Sequence, residues 1–190
     1  MLAVARGQAH EAGIRPVTPA AGAVLRMIAA AGSAKAMVEV GTGTGVSGVW
    51  LLRGGRPDAV LTTIDFEPEH QRVARAVFAE AGFAPSRARI ITGRALDVLP
   101  RLADGVYDLV FADHDATEYA AAVAAAARLL RPGGVLILGA ALAGGNVADR
   151  GVRDPNTVSL REVVTSLRDA EEWVPALLPS GDGLLCAVKR

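Results

Sequence analysis

Short apolar runs rich in valine, isoleucine and leucine recur along the chain, at AMVEVG (36–41), AVLTTID (59–65), ARIITG (88–93), YDLVFAD (107–113) and GVLILGA (134–140). They are nearly continuous rather than alternating, which is the pattern of strands covered on both faces. Alanine-rich segments with helical spacing separate them. Strand and helix therefore alternate, as in βαβ units built on a parallel sheet. A helix is predicted over 69–81, where Pro68 suits the first turn and Gly82 the stop. A second, over 117–130, is almost entirely alanine and leucine and should end at Arg131-Pro132-Gly133-Gly134.

After Gly139 the pattern changes. Residues 142–156, LAGGNVADRGVRDPN, are glycine-rich and aperiodic, so a structureless loop is predicted, followed by an amphipathic helix over about 157–171. Two last apolar segments, 173–178 and 184–188, flank Pro179-Ser180-Gly181-Asp182-Gly183, a hairpin signal. The expected fold is α/β, a doubly wound Rossmann-like sheet that is mostly parallel and closes in a C-terminal antiparallel hairpin. One domain over residues 1–190 accounts for the pattern, with no internal repeat, linker or low-complexity tail.

Twenty lysines and arginines balance twenty aspartates and glutamates, so no overall field draws the chain to nucleic acid or anionic lipid. Hydrophobic residues make up 51% but aromatics only 4%, which implies an aliphatic core and few platforms for stacking bases. The single cysteine, Cys186, has no partner for an internal disulfide and lies in an apolar run, where a small buried side chain is expected. Arg6, His10 and Glu11 interrupt the N-terminus before a secretory apolar segment can form. The least charged stretch, 132–148, is broken by glycines and falls short of the roughly 20 residues of a membrane span. A cytoplasmic protein acting on a small molecule, without nucleic acid or membrane partners, is the expectation.

Gly41, Gly43, Gly45 and Gly48 follow a predicted buried strand and precede the helix-compatible VSGVWLL (46–52). Glycines there let the chain turn sharply and let a ligand approach main-chain N–H groups without meeting a Cβ. Gly43, Gly45 and Gly48 satisfy the GxGxxG spacing, and Asp65 ends the next strand, where a carboxylate can take both ribose hydroxyls. A nicotinamide-dependent dehydrogenase is one reading. Glu39 favours another: on an otherwise apolar strand its carboxylate is costly unless it meets a cation or donors. It would repel a pyrophosphate and attract the sulfonium and ammonium of S-adenosylmethionine.

The run Glu39 to Ser47 resembles the cofactor motif of class I S-adenosylmethionine methyltransferases, and its surroundings are similar to the catechol and caffeoyl-CoA type O-methyltransferases. The resemblance covers about residues 16–190. It rests on Pro16-Val17-Thr18, on 61–65 with Pro68, on Gly93-Arg94-Ala95 with Leu99-Pro100, and on 108–119. It implies that Val17 touches the cofactor from an N-terminal lid and that Glu39 takes the methionine portion. Gly41, Thr42 and Gly43 would pass beneath it and Ser47 would cap its carboxylate. Asp65 would hold the ribose hydroxyls, Ala95 would offer a backbone N–H to the adenine, and Asp113 would lie between cofactor and acceptor. The resemblance further implies a homodimer and, in most members, another N-terminal helix ahead of the point where this sequence begins.

Two family devices for ionising an acceptor hydroxyl have no match. Catechol-methylating members hold a divalent cation with the strand-end Asp and an Asp-Asn pair on the next strand. Here that pair is Gly139-Ala140, which offers no side-chain oxygen for octahedral Mg²⁺, so no metal site is assigned. The family lysine three residues after the Asp is Ala116. A phenol with a pKa of about 10 would need a substitute. Asp113 and His114 are the catalytic candidates, His114 because imidazole titrates near neutrality. Asn146, Asp149 and Asp154 could add ligands only if their loop folds inward, and His10 and His70 read as surface residues. The sequence thus predicts an S-adenosylmethionine-dependent O-methyltransferase without the usual metal. A cofactor-binding protein that has lost transferase activity remains the second reading, ahead of the dehydrogenase.

Overall fold

The computed structural model describes residues 1–190. Seven strands form one sheet: β1 (Ala36–Val40), β2 (Val60–Asp65), β3 (Ala88–Thr92), β4 (Tyr107–Ala112), β5 (Leu130–Leu138), β6 (Trp173–Leu178) and β7 (Leu184–Lys189). Their spatial order is β3-β2-β1-β4-β5-β7-β6. The first five are parallel, and β7 runs antiparallel between β5 and β6. The mostly parallel α/β sheet and its antiparallel C-terminal hairpin are as the apolar pattern predicted.

Helices cover both faces. On one lie α1 (Leu2–Glu11), α2 (Pro19–Ala31), α3 (Val46–Gly54) and α4 (Pro68–Glu80), which pack Leu25, Val49, Leu51 and Phe78 against Met37, Leu61, Leu109 and Phe111 of the strands. On the other, α5 (Ala95–Val98), α6 (Tyr119–Leu129) and α7 (Pro155–Asp169) meet Val38, Val40, Val110 and Leu136. Successive strand residues point to opposite faces, so Val38 and Met37 serve different cores and the strands read as unbroken apolar runs. Cys186 is buried in the first of these cores, as expected. Proline opens α2, α4 and α7, and the side chains of Thr18 and Asp154 cap α2 and α7. No helix is long and apolar enough to cross a membrane.

Two elements differ from expectation. α6 does end at Leu129, where Arg131-Pro132-Gly133-Gly134 predicted a stop, but that segment lies inside β5, which begins earlier than the apolar run 134–140. Leu130 pairs with Tyr107, the register then slips across the Pro-Gly-Gly, and pairing resumes at Val135 with Leu109. Arg131 Nε donates to Asp108 Oδ1 at 2.7 Å, and Lys189 Nζ donates to the Ala127 and Leu130 carbonyls, fixing the entry to the strand. Proline's extended conformation suits a bulge, where its missing N–H costs no ladder bond. The loop predicted after Gly139 has more order than its composition suggests. It contains a 3-10 turn at Ala143–Gly145, and the Arg161 guanidinium of α7 donates to the carbonyls of Asn146, Val147, Asp149 and Val152.

Candidate active site

The chain builds β1, β2 and β3 in one direction and then crosses back to place β4 beside β1. Between the carboxyl ends of two strands whose connections diverge, a crevice opens in doubly wound sheets. Here it is a cavity of about 370 Å³. Val17, Gly41, Thr42, Gly43, Ser47, Asp65, Ala95, Asp113 and His114 all line it.

The glycine turn is dictated by crowding. Gly41 has φ +92°, and a Cβ there would lie 2.3 Å from the Asp113 carbonyl oxygen. Its N–H donates to the Ile64 carbonyl at 2.9 Å, and the Gly43 N–H donates to Asp65 Oδ2 at the same distance. The turn thus joins the ends of β1, β2 and β4 into one rim. Gly41→Ala is expected to destabilise the protein by about 2 kcal/mol or more and to weaken S-adenosylhomocysteine binding, since strain and clash act together. A thermal melt and a calorimetric titration check both effects.

Glu39 does not line the cavity. It is fully buried, one residue before the lining Val40 and beside the lining Ser47. The register sets it between Thr63 and Phe111, and Thr63 Oγ1 donates to Glu39 Oε2 at 2.6 Å. Thr42 Oγ1 lies 2.6 Å from the same Thr63 hydroxyl. The other carboxyl oxygen, Oε1, has no hydrogen-bond partner. Burial raises the carboxyl to about 7; the Ser47 and Thr63 hydroxyls oppose the rise, and the charges of Asp113 and Asp65 add to it. A buried carboxylate with an orphaned oxygen is costly in the empty protein and suited to a cationic ligand.

At the far side Asp65 accepts from the Gly43 N–H and, through Oδ1, from the Glu67 N–H at 3.0 Å. His70, expected on the surface, instead lines the cavity with Nδ1 3.4 Å from Asp65 Oδ1. The cause is local: Pro68 starts α4 directly after the strand end, so the first turn of α4 folds back over Asp65. Ala95 is the first residue of α5, where the N–H has no intrahelical acceptor, and it lines the cavity. Phe66 lines the rim while 70% exposed. Val17 is held by Arg6 of α1, which donates to its carbonyl, and Thr44 Oγ1 donates to the Ala5 carbonyl at 2.9 Å. The N-terminal helix is thereby tied to the turn. The lining groups fit an adenosine cofactor, with a Cβ-free floor, a ribose-side carboxylate and a helix N–H, and the unpaired Glu39 oxygen lies buried behind Val40 and Ser47.

Asp113 follows β4, and its N–H donates to the Val40 carbonyl at 2.9 Å. Burial raises its carboxyl to about 6; Asp182 adds to the rise and Arg15 counters it. His114 packs edge-on against Tyr119, with ring centroids 5.3 Å apart, and its Nδ1 is buried without a partner. Burial pushes the imidazole below its ordinary value despite Glu118 and Asp115, so it is neutral at pH 7. Tyr119 donates its hydroxyl to the Gly139 carbonyl at 3.0 Å, and burial holds that phenol protonated.

Gly139 shapes the end of the cavity where the family pattern has its cation. A Cβ on it would lie 2.4 Å from Asp113 Oδ1, so the Asp113 carboxylate packs onto the bare Gly139 backbone, where the family pattern has a ligand side chain. No three His, Cys, Asp or Glu side chains converge on a common point. Asp115 accepts from Thr117 and caps the following turn, Asp154 caps α7, Asp149 accepts from the Gly151 N–H, and Asn146 is exposed. The residues present do not fit a divalent cation of the family kind. Of the lining residues, sequence reading missed Arg15, His70 and Glu118, although a first-turn position after a strand end was a usable signal for His70.

A model of the O-methyltransferase family matches residues 5–190. A Mycobacterium tuberculosis protein named as a probable O-methyltransferase is 52% identical over 189 residues, covering 100% of this chain and 84% of its own length. A solved Corynebacterium glutamicum protein is 38% identical with a TM-score of 0.92, covering 99% of this chain and 88% of that one. The O-methyltransferase TomG of Streptomyces achromogenes, involved in tomaymycin synthesis and solved with S-adenosylmethionine, is 28% identical with a TM-score of 0.90, covering 99% and 88%.

Proposed function

Because this chain belongs to the O-methyltransferase family and is an S-adenosylmethionine-dependent methyltransferase, we propose that it methylates a hydroxyl oxygen of a small molecule without the divalent cation of catechol-type members. The observation that carries the metal-free part is the Asp113 carboxylate seated on Gly139. The dehydrogenase reading has no support among the relatives, and the homodimer implied by resemblance stays part of the proposal.

Glu39 would pair with the cationic methionine portion, Asp65 with the ribose hydroxyls and the Ala95 N–H with the adenine, while Val17 closes the lid side and Ser47 receives the carboxylate. Bound S-adenosylmethionine supplies an electrophilic methyl group: the acceptor oxygen forms the new C–O bond, the C–S electron pair stays on sulfur, and S-adenosylhomocysteine remains. Asp113 takes the hydroxyl proton and returns it to solvent. A carboxyl raised to about 6 is ionised at neutral pH yet more basic than an ordinary aspartate, which suits a general base. Neutral His114 borders the same acceptor side. The remaining rate comes from holding the two reactants in line.

Radiolabelled methyl transfer to a panel of phenols and enols, with EDTA present, tests the reading. Turnover undiminished by EDTA is expected. Activity lost in EDTA and restored by Mg²⁺ would overturn the metal-free proposal, and cofactor binding with no transfer to any acceptor would favour the binding-only alternative.

A further inference from the structure

We propose that Arg15 is a catalytic residue whose guanidinium binds the acceptor oxygen as an oxyanion, and that the acceptor is accordingly an acidic hydroxyl, a phenol or enol, held between Arg15 and Asp113. The inference rests on the methyltransferase reading above and adds the group that supplies positive charge at the acceptor.

Two arginines line the cavity, and one of them is committed: Arg94 lies 3.5 Å from Glu118. Arg15 lines the cavity and makes no ion pair within 4.0 Å. It lies close enough to Asp113 for its charge to draw that carboxyl down. Neither Ala116 nor Gly139 supplies a cation or a cation ligand there.

Charge balance makes a cation necessary. Asp113 and Asp182 together give the acceptor end two carboxylates, and an oxygen developing negative charge beside them is repelled unless a cation faces it. A guanidinium suits this duty, since it stays charged at any working pH and presents several donors in one plane. The segment carrying it is also anchored. The Ile14 N–H donates to the Ala9 carbonyl at 2.8 Å, the Ile14 side chain packs over Gly43, and Arg6 holds Val17 two residues beyond Arg15. Arg15 thus lines the cavity on a segment fixed at its backbone.

The test uses the whole protein loaded with S-adenosylhomocysteine, with 4-nitrophenol as probe because its phenolate is read by absorbance. In the wild-type complex the bound probe is expected to carry roughly tenfold more phenolate at a mildly acidic pH than in buffer. Arg15→Met should abolish that enrichment and lower kcat/KM for a phenol acceptor about tenfold, Arg15→Lys should restore part of both, and S-adenosylhomocysteine affinity should stay as in wild type. No enrichment in wild type, or equal enrichment in Arg15→Met, would overturn the proposal. A loss of S-adenosylhomocysteine affinity in Arg15→Met would also overturn it, by placing the guanidinium on the cofactor carboxylate. Failure of the wild-type chain to bind S-adenosylmethionine at all would instead strike the methyltransferase reading itself.

Discussion

Glu39→Gln is expected to make the empty protein more stable at pH 8 while weakening S-adenosylmethionine binding roughly 100-fold, the penalty for removing one partner of a buried charge pair. The two effects have one origin. The wild-type carboxyl titrates at about 7 in the fold against an ordinary 4.5, because it is fully buried with one oxygen unpartnered. A carboxyl raised in the folded state contributes its full stability below about pH 4.5 and loses it progressively as pH climbs to about 7. Above that, holding the ion without a partner costs about 3 kcal/mol. Glutamine never ionises and avoids this cost, so the variant should melt about 10 °C higher than wild type at pH 8 and match it at pH 5. The cationic cofactor needs the ion, so wild-type affinity should fall as pH drops below about 7, with Kd about tenfold weaker at pH 6. In Glu39→Gln the dependence should be flat. Melts and calorimetric titrations across this range check each point, and a pH-independent wild-type Kd would remove Glu39 from the binding site.

Asp113→Asn should lower kcat by roughly a thousandfold, the scale of a positioned general base, while S-adenosylhomocysteine still binds. Its pH signature separates it from Glu39. With saturating S-adenosylmethionine the Glu39 carboxyl is already ionised by its partner, so the acid limb of kcat reports the next group. The rate should rise through about pH 6 as Asp113 loses its proton and then level off. In Asp113→Asn that limb should vanish along with most of the rate. His114→Asn serves as the comparison: if it alone abolished the limb, the base would be the imidazole. Its neutral state at pH 7 and its unpartnered Nδ1 make that outcome meaningful.

The cofactor half of the cleft was legible because its residues break local rules. Gly41 is glycine where a Cβ would strike a carbonyl, and Glu39 is charged where every neighbour is apolar. Such violations are visible without coordinates. His70 was read as a surface residue because Glu69 and Gln71 beside it look like a solvated helix face, although its place in the first turn after a strand end was the signal that it turns inward. The Pro-Gly-Gly rightly marked the end of α6, but the early start of β5 was not legible, since the Arg131–Asp108 bond at its entry joins residues 23 apart. Arg15 lies in a connector with no periodicity, so its position in the cleft follows from how α1 is tied to the glycine turn. That positions 139 and 140 offer no side-chain oxygen was legible; that the Asp113 carboxylate packs against Gly139 was not.

The hairpin between β6 and β7 has a consequence for the site. Every residue lining the cofactor cavity lies between positions 14 and 118, so the cradle is encoded in the first two thirds of the chain. The segment that follows β5 is held differently. Leu142 donates to the Asp182 carbonyl, Ala141 to that of Gly183, and the Gly144 N–H to Asp182 Oδ1, so it is fastened by the turn between β6 and β7. Because the charge of Asp182 also reaches Asp113, that turn clasps the segment after β5 and at the same time raises the carboxyl at the end of β4.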